Sequence, residues 1–277
     1  MTHVADLLAR LDRHNAVWVT VRAHRGSVPR EAGAWMAVFA NDAVGTIGGG
    51  HLEWQAIAQA RAMLSGHVCD STVRYPLGPS LGQCCGGEVT LGFERVGAAD
   101  KLALQARFDE HARHWPRVAL FGGGHVGAAL VRLLGELPLN VLWLDSRDEI
   151  FPPHIPNNVV CEHSDPVESA VAQLAPGSLV LIMSFSHAQD LEVVAACLRR
   201  QRERADLGLI GLIGSATKWR TFAHRLGARG FSETELALVT CPIGLPGIGG
   251  KEPEVIAVSV AAQVLQAVSS NTLMKDV

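Results

Sequence analysis

The densest chemistry in the sequence lies in "SLGQCCGGEV", residues 80 to 89. Two adjacent thiols, Cys84 and Cys85, stand between Gln83 and the glycine pair Gly86-Gly87. Neighbouring cysteines seldom bridge to each other, because the small ring demands a distorted peptide. Thiolates are soft donors suited to soft metals, sulfur transfer or redox chemistry. Glycines beside them let a bulky ligand approach the backbone. The plain alternative is one buried thiol with a neighbour of no consequence; the pattern points instead to thiols that touch a ligand. The other four cysteines, Cys69, Cys161, Cys197 and Cys241, form no Cys-x-x-Cys pair, and no His-x-x-x-His pair exists to complete a zinc spacing. They read as free thiols, with Cys161 and Cys197 as small core residues.

Two glycine turns suit anions. "TIGGGHLEWQ", 46 to 55, ends a strand in Gly48, Gly49 and Gly50 and starts a helix near Leu52, with His51 and Glu53 at the mouth. Consecutive free N–H groups there would form a nest for an anion; a tight turn with a surface histidine fits the same letters. "GGGHVG", 122 to 127, fits G-x-G-x-x-G through Gly122, Gly124 and Gly127. It follows an expected strand, opens an expected helix, and has Asp145 at the end of the next strand, where a ribose would be bound. The loop is therefore expected to hold a nucleotide or another phosphate-bearing ligand; an empty loop is the alternative. "SFSHAQD", 184 to 190, and "GLIGSATKWR", 211 to 220, end later strands. They make Ser186, His187, Asp190, Ser215 and Lys218 further candidates at the carboxyl edge of a sheet. No Ser–His–Asp set or carboxylate pair follows from spacing.

The elements that must position these residues divide the chain in two. From residue 117, short apolar strands such as "RVALF", "NVLWLD" and "SLVLIM" alternate with helical segments, which indicates a doubly wound parallel sheet. "VGAALVRLLGEL" places Ala129, Leu130, Leu133, Leu134 and Leu137 on one helical face. The first half alternates instead, with Val17, Val19 and Val21 in "AVWVTVRA" and Val89, Leu91 and Phe93 in "EVTLGFE". The fold class is thus α/β: an α+β domain over 1–98, a connecting helix over 99–115, and a Rossmann-type domain over 116–277.

With 277 residues, 48 % of them hydrophobic, the chain buries real cores, and a net charge of −3 leaves no broad basic field for nucleic acid or an anionic membrane. The start lacks the apolar core and cleavage site of a signal peptide, and "LVLIM" is too short to span a bilayer, so a cytoplasmic protein is expected.

In this order the motifs "GSVPREAGAWM", "GTIGGGHLE", "YPLGPSLGQCCGGEV", "LFGGGHVG", "LWLDSR", "GLIGSATKWRTF" and "CPIGLPGIGGKEPEVIAVSVAAQVL" resemble the XdhC/CoxI family, specifically its XdhC branch. His51 stands where the CoxI-like branch tends to carry a cysteine. The resemblance implies a carrier, not a catalyst. Such proteins bind the pterin molybdenum cofactor, help a cysteine desulfurase supply its sulfido ligand, and deliver it to the molybdenum-binding subunit of xanthine dehydrogenase. A homodimer is expected. Mapped onto this sequence, the cofactor would engage the two glycine turns, Gln83 to Gly87 and His187, with Cys84 or Cys85 facing molybdenum or its sulfur. "SFSHAQD" departs from the Thr-His-Ser-His-like polarity of the family. Two rivals stand beside this reading: a nicotinamide-dependent oxidoreductase using Gly122, Gly124, Gly127 and Asp145, and a sulfur carrier bearing a persulfide on Cys84 or Cys85.

Overall fold

A computed structural model describes residues 2–77 and 87–273, which form two compact units, Thr2–Glu110 and the chain from His111 onward. The first unit opens with helix α1 (Thr2–Arg10) and strand β1 (Ala16–Arg25). Val17, Val19 and Val21 point to one face of β1 and bury against Leu52, Ala56 and Ala60 of helix α2 (Gly50–Leu64). Strands β2 (Trp35–Val38), β3 (Ala43–Gly45), β4 (Thr72–Pro76) and β5 (Glu88–Val96) complete an antiparallel sheet in the order β3-β2-β1-β5-β4. Trp18, on the other face, stacks on Trp35 at 4.5 Å and meets Phe108 edge-on at 5.4 Å. Phe108 and the buried Leu104 belong to helix α3 (Lys101–Arg113), which occupies the segment expected as a connector and covers this second face. Each fully buried side chain of that size contributes roughly 1.5–3 kcal/mol, enough to fix the helix to the sheet.

Register decides what gathers at one sheet edge. Thr20 pairs with Trp35, Met36 with Gly45, and Glu88 with both Arg25 and Pro76. The ends of β1, β3 and β4 and the starts of β2 and β5 therefore lie side by side. The loop after β1, the glycine turn after β3 and the two attachment points of residues 78–86 all leave from that edge.

The second unit contains β6 (Arg117–Phe121), α4 (His125–Leu134), β7 (Asn140–Asp145), β8 (Val159–His163), β9 (Leu179–Ile182), α5 (His187–Arg204), β10 (Leu209–Leu212), α6 (Ala216–Ala228), α7 (Glu233–Leu236), β11 (Val239–Thr240) and α8 (Pro253–Leu273). Its sheet is parallel, in the order β11-β10-β9-β6-β7-β8. Counted within the unit this is 3-2-1-4-5-6 read from the other edge, the order of dinucleotide-binding folds, with its reversal between β6 and β9. Alternate residues feed two cores: Ala119 and Phe121 face α5 and α6, while Val118 and Leu120 face α4 and α8. Ala129, Leu130 and Leu134 of α4 are buried as the periodicity requires, whereas Leu133 is 38 % exposed. Helix α8 is long and apolar enough to cross a membrane by length and composition, yet Ala257, Val260 and Val264 pack into the core beside α4. Ser259, Gln263 and Gln266 interrupt its apolar run, so its length was not legible as an unbroken stretch.

Candidate functional site

At the gathered edge of the first unit, the turn after β3 is built around its own carboxylate. Glu53 Oε2 accepts from Thr46 Oγ1 at 2.5 Å, from Ile47 N at 3.0 Å and from Gly49 N at 3.1 Å. Gly48 N donates to Thr46 Oγ1. The sequence leads one to expect amides of Gly48, Gly49 and Gly50 open to an external anion; here Gly49 N already faces Glu53, whose charge would repel an anion, and Gly48 N faces Thr46 Oγ1. His51 is exposed, stacks on Trp54 at 5.6 Å and meets the Gln55 side chain at 3.1 Å.

The loop after β1, residues 26–33, is clasped from two sides. Gly48 has φ +121°, and a Cβ there would overlap the Pro29 ring and press on the Arg30 stem. Gly87 is equally confined, since a Cβ on it would run into the carbonyl oxygens of Arg25 and Ser27. Leu77 N donates to Gly87 O at 2.7 Å and closes the neck from which residues 78–86 depart. Gln83, Cys84, Cys85 and Gly86 lie outside the described residues. The structure thus brings the Gly48–Gly50 turn, His51, Glu53 and Gly87 to one edge.

In the second unit the glycine loop after β6 divides its tasks. A Cβ on Gly122 (φ +127°) would strike the Met183 carbonyl, and one on Gly127 the Gly122 carbonyl, whereas at Gly124 it would meet nothing within 4 Å. Gly124 caps α4 with no side-chain hydrogen bond, leaving the first amides of that helix without a side-chain cap. Asp145 is fully engaged. It is 2 % exposed, and all four of its acceptor positions are filled. Oδ1 accepts from Arg147 N and Nε, both at 2.9 Å; Oδ2 accepts from Gly123 N at 2.6 Å and Arg147 Nη2 at 2.8 Å. Burial alone would raise this carboxyl, but the hydrogen bonds from Arg147 and Gly123 outweigh it and hold it below the ordinary range. The acceptor positions of Asp145 that were expected to meet a ribose are instead met by donors of Arg147 and Gly123. That guanidinium also lies 4.7 Å from the ring of Phe185, and Gln189 Nε2 reaches Ser146 Oγ at 2.6 Å, so the loops after β7 and β9 touch.

At the ends of β9 and β10 the other candidates resolve into supports. Asp190 is 1 % exposed; it accepts from Ser184 N and Oγ through Oδ1, and from Lys218 Nζ at 2.6 Å through Oδ2. Lys218 also donates to Ile213 O at 2.8 Å. Ser186 and Ser215 cap α5 and α6. A buried pair with these extra hydrogen bonds ties the two strand ends together. His187 is exposed, its ring edge-on to Phe222. Sequence reasoning missed Arg147, Arg25 and Arg30; the first was signalled by its i+2 spacing from Asp145, the others by an arginine at each side of a Gly-Ser-x-Pro turn. Among the described residues no cluster of His, Cys, Asp and Glu is arranged to hold a metal ion.

The chain matches the XdhC Rossmann domain over residues 118–264, more than half its length, and the XdhC and CoxI family over residues 9–76. It is 27 % identical over 263 residues to the uncharacterised protein YqeB of Escherichia coli (strain K12), covering 93 % of this chain but 45 % of YqeB. The chain thus spans about half the length of that curated relative. A crystal structure from Bacillus halodurans, described as a xanthine dehydrogenase, superposes with a TM-score of 0.74 at 21 % identity, covering 98 % of this chain and 96 % of that one. At that identity the likeness is one of fold.

Proposed function

The chain belongs to the XdhC family, and on that footing we propose that it is an accessory protein that carries a molybdenum-bearing pterin cofactor. It holds the cofactor while a cysteine desulfurase supplies the terminal sulfur, then passes it to the molybdenum-binding subunit of a xanthine dehydrogenase. Cys84 and Cys85 supply the soft donors for molybdenum or its sulfur. The observation that carries this reading is the edge of the first sheet. Register sets both attachment points of the cysteine segment beside the Gly48–Gly50 turn and the loop after β1. Against the oxidoreductase rival, which would use Gly122, Gly124, Gly127 and Asp145, stands the occupation of every acceptor position of Asp145 by Arg147 and Gly123.

The test is anaerobic. Purified protein is mixed with molybdenum cofactor, the unbound fraction is removed, and molybdenum and pterin are assayed together on the protein. Near-equimolar retention of both is expected, falling by an order of magnitude or more in Cys84→Ala/Cys85→Ala without a change in melting. Retention of neither by the parent protein, alongside tight nicotinamide binding, would replace the reading with the oxidoreductase.

A further inference from the structure

The geometry points to the loop Arg25–Arg30, not the Gly48–Gly50 amides, as the seat for a phosphate monoester on the ligand. This rests on the carrier reading above, since a pterin cofactor ends in such a phosphate. The amides of Ile47 and Gly49 and the Thr46 hydroxyl are already spent on Glu53. A dianion seated there would have to displace a carboxylate and then sit beside its charge, which costs more than the amides return.

The same sheet edge offers the opposite charge one loop away. Between residues 16 and 34 the sequence carries Arg22, Arg25 and Arg30 against one acid, Glu31. Arg25 and Arg30 are exposed, and among the described residues the side chain of neither has an ion-pair or hydrogen-bond partner. The other acids at this edge are engaged: Glu88 lies 3.5 Å from Arg74, and Glu53 holds the turn. Arg22 is set apart, its guanidinium lying across Gly92 on the sheet face.

An unpaired surface arginine is ordinary by itself. These two flank a loop whose backbone is fixed at both ends, by Gly87 against the Arg25 and Ser27 carbonyls and by Gly48 against Pro29 and Arg30. Any side chain at either glycine would push the arginine loop out of place. A pre-set loop bearing two guanidinium groups suits a phosphate, which accepts paired N–H donors at short range. The ligand class is therefore a phosphate monoester, bound beside Gly87, the residue that follows the thiol-bearing segment.

The experiment compares full-length parent, Arg25→Gln/Arg30→Gln and Glu53→Gln, all checked for equal melting. Retention of molybdenum cofactor should fall roughly ten- to a hundredfold in the arginine variant, the loss of one or two charge-assisted contacts. Millimolar inorganic phosphate should compete with cofactor on the parent and on Glu53→Gln, and not on the arginine variant. Unchanged retention by the arginine variant, with loss in Cys84→Ala/Cys85→Ala, overturns the phosphate seat and leaves the carrier reading standing. Loss confined to Glu53→Gln also overturns it, in favour of the glycine turn. If the parent retains no cofactor, the carrier reading fails, and phosphate titration followed by the NMR signals of Arg25 and Arg30 decides the seat alone: shifts support it, silence overturns it.

Discussion

The tetrapeptide Gly-Gly-Gly-His occurs twice, at 48–51 and at 122–125, each time between a strand and a helix, and the two copies do different things. In the first, all three glycines take positive φ and the turn folds back onto Glu53. In the second only Gly122 does, Gly124 is extended, and no side chain caps the helix start. Each turn borrows a carboxylate from its own chain, but the partners differ. Glu53 is held by a hydroxyl and two amides, while Asp145 is neutralised by a bidentate arginine. A glycine-rich turn is therefore not an anion site by composition; what matters is which acceptor has already claimed its amides.

The largest expected effect separates glycines that are packed from the one that is open. Gly122→Ala and Gly48→Ala must both abandon a left-handed backbone and move a neighbour, the Met183 carbonyl in one and the Pro29 ring in the other. Each should cost about 3 kcal/mol or more, with Gly122→Ala the worse because backbone cannot yield as a ring can. Gly124→Ala, with room for its methyl, should stay within about 1 kcal/mol of the parent in urea denaturation. A Gly48→Ala protein as stable as the parent would mean that the first turn is not clasped by Pro29.

Next come the two borrowed carboxylates. Asp145→Asn leaves Arg147 without its bidentate partner and should cost about 1–3 kcal/mol; Glu53→Gln keeps an acceptor oxygen, strands no cation, and should cost about 1 kcal/mol or less. Asp145 also carries a pH signature. Its folded value is depressed, so its stabilisation is complete above the ordinary carboxylate value near 4 and is lost as pH falls through the lower folded value. Acid unfolding below about pH 4 should accordingly be less steep in Asp145→Asn than in the parent. Equal slopes would show that Arg147 does not hold the carboxylate in solution.

The architecture was legible because periodicity reports burial. Alternating valines announced the antiparallel half, and unbroken apolar strands separated by helices announced the parallel one. The sites were legible as types and places, less so as roles. Identical letters at 48–51 and 122–125 say nothing about whether Glu53 bends back or Gly124 stays clear, because that depends on Thr46 and on contacts with Pro29 and Met183 distant in sequence. Asp145 was placed at the right strand end, yet its use was set by Arg147 two residues on. Asp190 and Lys218 are 28 residues apart, and only the parallel pairing of β9 with β10 brings them together.

The smallest effect on the fold, and the sharpest contrast between the units, concerns thiols. Burial pushes Cys197 up to about 12, and raises Cys161 as well. Cys241 is raised by burial against the nearby charge of Lys218, which pulls the other way without prevailing. The second unit therefore keeps its cysteines as thiols at neutral pH, poor nucleophiles by protonation and, for the buried Cys197, by access as well. A thiol pair that meets a ligand, as proposed for Cys84 and Cys85, has the opposite requirement. Iodoacetamide at pH 8, followed by mass spectrometry of the peptides, should label the Cys84–Cys85 peptide at least about tenfold faster than those of Cys161, Cys197 and Cys241. Bound cofactor should slow that peptide alone. Equal rates at all sites, or protection spread over both units, would remove the distinction between a thiol pair kept for a ligand and thiols that merely pack.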